Sequence, residues 1–181
     1  MNTKELLIAI LIGVALAMIA IAYFRPATKV HGRSGVLSCL NNGKRIASAL
    51  SLYAEDHDGA YPLGNTSSNE ALVQLFPDYI DREKLFYLPS SIFCLRNPPD
   101  EEINQNERGK HSALEAGECH FAYVSGYNSS DKITYPILAD GFTAAGNTYD
   151  EKHVWWKRDK ARAVVVYLDG SGAPEILRKS G

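Results

Sequence analysis

From Leu6 to Phe24 the chain holds no charged side chain, and that stretch constrains everything after it. About 20 apolar residues at ~1.5 Å rise per residue cross a ~30 Å hydrocarbon core, so a helix here is long enough to span a bilayer. Arg25 and Pro26 close the run. A cleaved signal peptide usually has an apolar part of ~7–15 residues, basic residues ahead of it and a small-residue cleavage site behind. Here Lys4 is the only basic side chain ahead, Glu5 opposes it, and Tyr23-Phe24-Arg25-Pro26 follows. The residues favour a retained anchor over residues 1–24, leaving residues 25–181 as one domain.

The formal charge of −2 arises from 19 basic and 21 acidic side chains. That balance argues against nucleic acid as a partner and against a polybasic membrane-surface role. Lys4 and the amino terminus flank one end of the apolar run, and Arg25, Lys29 and Arg33 flank the other. Positive-inside counting alone slightly favours a cytoplasmic domain. Ten tyrosines, fourteen glycines and eight prolines suit a loop-rich domain with β-strands rather than a helical bundle.

Val36, Cys39, Leu40, Gly43, Ala47, Leu50 and Ala54 recur at the spacing of one helical face, which predicts a helix over 36–54. Arg33, Lys44 and Arg45 fall outside the stripe. Ser34 is placed to cap its start, and Asp58-Gly59 to stop it before Pro62. Residues 69–80 read as a short helix or turn with Leu72, Leu75, Phe76 and Tyr79 on one side, continued by 81–86. Ile92-Phe93-Cys94 reads as a short strand, and the polar, acidic stretch 98–117 as a surface excursion. Residues 120–126 alternate like a strand. Residues 133–139 read as an apolar strand that Pro136 assigns to a sheet edge. Residues 161–168, with three consecutive valines, read as the central strand, ended by Asp169-Gly170 and paired back by 175–177.

Two stretches carry a family resemblance. Glu5-Leu6-Leu7 followed by the apolar run resembles the N-terminus of type IV pilins and type II secretion pseudopilins, with Glu5 at the family's fifth position when Met1 is counted first. Ser38-Cys39-Leu40-Asn41-Asn42-Gly43-Lys44-Arg45-Ile46, then Tyr53 and Glu55 to Pro62, resembles the CLNNLKQI…YADDNDGRFP signature of pseudopilin-like proteins of the planctomycete and verrucomicrobial type. Gly43 stands where that pattern has leucine. Asp169-Gly170 resembles the family's H-x9-DG ending, with Asp159 in the histidine's place. The resemblance implies an α+β fold, a long N-terminal helix (transmembrane, then amphipathic) packed on a small antiparallel sheet. It implies a single-pass inner-membrane protein with an extracytoplasmic domain. Its partners would be other pilin-like subunits, and Glu5 would pair with a neighbour's amino terminus as the helices stack with an axial offset.

Asp56-His57-Asp58-Gly59 looks like a fragment of a calcium loop, but no bidentate acid follows at the required spacing, so a helix-stopping turn is favoured and no metal is expected. Asp140-Gly141 reads as another turn. No G-x-S-x-G, H-E-x-x-H or phosphate loop is present. His31, His57, His111, His120 and His153 are scattered among polar neighbours and read as surface histidines. No catalytic set, cofactor or small-molecule substrate is therefore expected. Trp155-Trp156, beside Lys157 and Arg158, either rests on the sheet or stacks on a sugar or peptide. The latter supports an alternative function, a membrane-anchored ligand-binding domain. Cys39, Cys94 and Cys119 have no metal-binding spacing. Cys94 ends one strand-like stretch and Cys119 begins another, so a Cys94–Cys119 disulfide is expected, with Cys39 free on the helix's apolar face.

Overall fold

The computed structural model describes residues 31–88, 99, 103, 113–140 and 162–176. The chain divides after Val30, and every described residue belongs to the second unit, His31–Gly181. The apolar run and Glu5 lie outside the described residues. Within them, no helix is long and apolar enough to cross a membrane.

Helix α1 runs over His31–Asp56. The predicted stripe is its buried face: Val36, Cys39, Ala47, Leu50 and Ala54 are buried and Leu40 packs against the core from its margin. Ile46 and Ala49 widen the stripe to the ~100° a globular core requires. Ser34 lies inside the helix and is not its cap. Extending an existing helix adds one hydrogen bond per residue fixed, so Gly32 and Gly35 do not end it. At the other end the backbone N–H of Gly59 donates to Ala54 O at 2.8 Å, and Asp58 and Gly59 both take positive φ. This is the expected helix-stopping turn.

Four strands form an antiparallel meander in the order β1-β2-β3-β4: β1 Phe121–Tyr123, β2 Pro136–Asp140, β3 Arg162–Tyr167 and β4 Gly172–Ile176. The valine strand β3 is interior, as expected, and β4 pairs back across the Asp169-Gly170 turn. Pro136 does not put β2 at an edge. It is the strand's first residue, opposite Tyr167, and the register shifts between Pro136 and Leu138. A missing N–H is tolerated at a strand start or bulge.

Helix α1 lies on β2, β3 and β4. At Gly43 the packing is tight: an added Cβ would stand 2.9 Å from Val166 Cγ2 and 3.4 Å from the Phe121 ring. From the sheet side, a Cβ on Gly172 would meet Leu40 Cδ1 at 2.9 Å. The glycine in the place of the family pattern's leucine is thus a contact point of the core, with no room for a larger side chain.

Helix α2, Ser68–Leu72, passes into a 3-10 turn over Val73–Leu75, and Phe76, ahead of Pro77, is extended. The stretch 81–86 is a separate 3-10 turn, Glu83–Leu85. The segment 98–117 is not purely a surface excursion. Pro99, Ala113 and Leu114 are buried and Ile103 packs on the core. The Leu114 N–H donates to the fully buried Glu83 carboxylate at 2.7 Å, which ties the segment to the turn.

Candidate functional site

Three polar side chains are buried in the described core, and sequence patterning placed none of them there: Glu83, His120 and Asp140. Asp140 is not a turn residue. It ends β2 beneath α1, where its Oδ1 accepts the Val164 N–H at 2.6 Å and its Oδ2 accepts from the Cys39 thiol at 3.4 Å. His120 is not at the surface either: its Nδ1 accepts the Leu88 N–H at 3.0 Å, which places a neutral ring's proton on Nε2. A buried polar atom must find a partner, and each of these was fixed by segments remote in sequence.

Cys39 is a free, buried thiol. Burial pushes its pKa far up, and the adjacent Asp140 charge and hydrogen bond push it the same way. A nucleophilic cysteine needs an electropositive, partly exposed setting, and Cys39 has the opposite. The Cys39–Asp140 pair therefore ties helix to sheet.

The remaining expected positions fall apart spatially or outside the described residues. Cys119 is half-buried ahead of β1, with its Sγ 3.5 Å from Phe121 O, while Cys94 lies outside the described residues. Trp155-Trp156 also lies outside them. His57 is exposed at the end of α1, its ring stacked 3.7 Å from Tyr53, and its Nδ1 lies 2.7 Å from Tyr53 O. Tyr53 in turn donates to Gln74 Oε1, and Tyr79 donates to Asp56 Oδ2 at 2.9 Å. This aromatic and amide cluster joins α1 to the 3-10 turn Val73–Leu75 and to Tyr79 beyond it. Asp169 accepts the Ser171 N–H at 2.8 Å, and its hydrogen bonds to Ser171 hold its carboxyl below the usual range. Among the described residues no three metal-ligating side chains converge.

What remains is a surface. Opposite its buried stripe, α1 exposes Leu37, Asn41, Lys44, Arg45, Ser48, Leu52 and Glu55. Leu37 and Leu52 are 56% and 51% exposed on this otherwise polar helix face. Cationic groups sit mid-helix at Lys44 and Arg45, and anionic ones at its end, at Glu55, Asp56 and Asp58. No ion pair or hydrogen bond engages the side chains of Lys44, Arg45 or Glu55 among the described residues. Solvated helices more often interleave opposite charges at i,i+4, so this face is segregated by sign. Compared with known proteins, the chain matches no family model, no curated protein and no solved structure.

Proposed function

We propose that the protein is a structural subunit of a pseudopilus-like fibre. It is held in the inner membrane by residues 1–24, with residues 25–181 outside the cytoplasm, and it assembles with other pilin-like subunits through its N-terminal helix. The reading rests on the resemblance of the Glu5-Leu6-Leu7 start and of the Cys39–Pro62 stretch. One structural observation supports it: α1 runs unbroken over His31–Asp56, one face buried on an antiparallel meander and the other bare. A subunit that packs side by side needs a rigid, anchored helix backed by a sheet. The protein is not an enzyme in this reading, which rests on the lack of G-x-S-x-G, H-E-x-x-H and phosphate-loop motifs in the sequence.

Glu5 is the testing point. A carboxylate costs ~2.5–3.5 kcal/mol near the middle of a bilayer and less at a helix N-terminus, where the dipole favours it. Full-length Glu5→Ala protein should insert and fold, yet drop out of cross-linked assemblies of the wild-type chain in membranes. Cross-linking at the wild-type level would remove the mechanism.

A further inference from the structure

Asn42-Gly43 is the only Asn-Gly step in the sequence, and it lies in the middle of α1. In an unfolded chain such a step is chemically labile, because glycine has no side chain to hinder attack by its own amide nitrogen. The Gly43 nitrogen bonds to Asn42 Cγ, the Cγ–Nδ2 bond breaks, and Nδ2 departs as ammonia with the glycine amide proton. The product is a five-membered succinimide, which water opens at either of its two carbonyls. Attack at Cγ leaves an ordinary aspartate. Attack at the main-chain carbonyl leaves isoaspartate, in which the chain runs through Cβ and Cγ and is one atom longer.

The fold bears on this step twice. Within His31–Asp56 each N–H bonds to the carbonyl four residues back, so the Gly43 N–H donates to Cys39 O. The helical ψ of Asn42 then keeps its Cγ from the Gly43 nitrogen. On the sheet side, a Cβ on Gly43 would already stand 2.9 Å from Val166 Cγ2, so the main chain has no slack there. One more main-chain atom between residues 42 and 43 interrupts the hydrogen-bond ladder. It also puts Ile46, Ala47 and Leu50 out of phase with Val36 and Cys39, and all five are buried in the one core.

We infer that Asn42-Gly43 is a latent modification site: the folded helix protects it, unfolding of α1 exposes it, and isoaspartate formed there keeps α1 from seating on the sheet again. An opening that would otherwise reverse thus leaves a permanent mark. Aspartate, the other product, keeps the main chain's length and falls on a half-buried side chain, so it leaves the fold intact.

The test uses the full chain in detergent micelles at pH 8, incubated folded or in urea. Residue 42 is followed by peptide mass spectrometry and by isoaspartyl methyltransferase labelling. Isoaspartate should accumulate there in the unfolded chain, and at least about a hundredfold more slowly in the folded one, where reaction waits on opening of a core helix. Equal rates in the two states overturn the protection. Urea is then removed and the aged chain is digested briefly with protease. Isoaspartate at residue 42 should be confined to the digested fraction, while aspartate at residue 42 appears in the resistant one. Isoaspartate entering the resistant fraction in its starting proportion overturns the consequence for folding. Asn42→Gln, whose longer side chain closes a ring far more slowly, should refold after the same incubation as fully as fresh protein. A loss in Asn42→Gln equal to that of wild type would place the lesion at another step, such as Asp58-Gly59 or Asp169-Gly170, and overturn the inference.

Discussion

Gly43 of α1 and Val166 of β3 are in contact with no space between them: a Cβ on the glycine would lie 2.9 Å from Cγ2 of the valine. The same methyl would stand 3.2 Å from a Cβ on Gly172 of β4. Val166 therefore fills a notch cut by two glycines from different elements. Val166 is fully buried and β-branched, so its χ1 has little freedom to yield.

Gly43→Ala should accordingly destabilise the domain. Alanine gains about 1 kcal/mol in helix propensity, but overpacking a tight core costs about 1–3 kcal/mol, and neither Val166 nor Phe121 can move far. Gly43→Leu, which introduces the leucine of the pattern the stretch resembles, should cost more than Gly43→Ala. Denaturant unfolding of Gly43→Ala, Val166→Ala and the double variant measures the coupling. The double variant should be more stable than the sum of the singles implies, by roughly 0.5–3 kcal/mol.

The helix face, the valine strand and the Asp169-Gly170 hairpin were legible because each is a local pattern of period or turn chemistry. What escaped was long-range. Asp140-Gly141 has the look of a turn, and only the approach of Cys39 and Val164 makes Asp140 a buried acceptor. Pro136 argued for an edge, and the register shift that accommodates it belongs to the pairing with β3. His120 read as a surface histidine because its partner, Leu88, lies some thirty residues away, and a similar distance separates the buried Glu83 from Leu114. The charges of the candidate surface were visible from the start, since Lys44 and Arg45 fell outside the apolar stripe. Their lack of partners among the described residues was not.

Truncation at the centre of α1 should be costly. Leu50 and Ile46 are fully buried between the helix and the sheet, and removing a buried Leu or Ile side chain to alanine typically costs ~2–5 kcal/mol. A chain beginning at residue 31 should unfold cooperatively, and one beginning at residue 60 should not. Calorimetry of the two fragments decides it, and a cooperative transition in the shorter one would show that the sheet needs no helix.

Helix α2 depends on a reciprocal cap. Ser67 Oγ accepts the Glu70 N–H at 3.2 Å, while Glu70 Oε2 accepts the N–H groups of Asn65 and Thr66 and the Thr66 hydroxyl. Ser67→Ala should cost about 1 kcal/mol. The bonds from Thr66 hold the Glu70 carboxyl below its ordinary value of 4.5. Its contribution is therefore present above that value and lost as pH falls through the lowered pKa. Carboxyl-carbon NMR of Glu70 should show a titration below the normal glutamate range in wild type, moving back toward it in Thr66→Ala.

The Cys39–Asp140 contact makes stability depend on alkali, and the sign is fixed by which state holds the proton. Burial first, and then the Asp140 charge and hydrogen bond, raise the Cys39 thiol far above its ordinary value of 9.0. The folded protein thus keeps the thiol proton at a pH where the unfolded chain releases it. Stability from this group is fully present below about pH 9 and declines above it, because the unfolded state then binds fewer protons. One such group gives a slope approaching 1.4 kcal/mol per pH unit well above that value, and about 1 kcal/mol should disappear between pH 9 and pH 10. Tyr123, whose hydroxyl donates to Pro62 O, is also raised, chiefly by burial, and adds its own loss above the ordinary tyrosine value of 10.0. Urea unfolding between pH 8 and pH 10 should therefore show a falling midpoint in wild type and a flatter one in Cys39→Ala, which has no thiol to titrate. The same proton keeps the thiol inert: iodoacetamide at pH 8 should leave Cys39 unmodified in the folded protein and alkylate it once urea opens the domain. Alkylation of Cys39 in the native state, or identical pH profiles for the two proteins, would mean that the helix does not seal the thiol against the sheet.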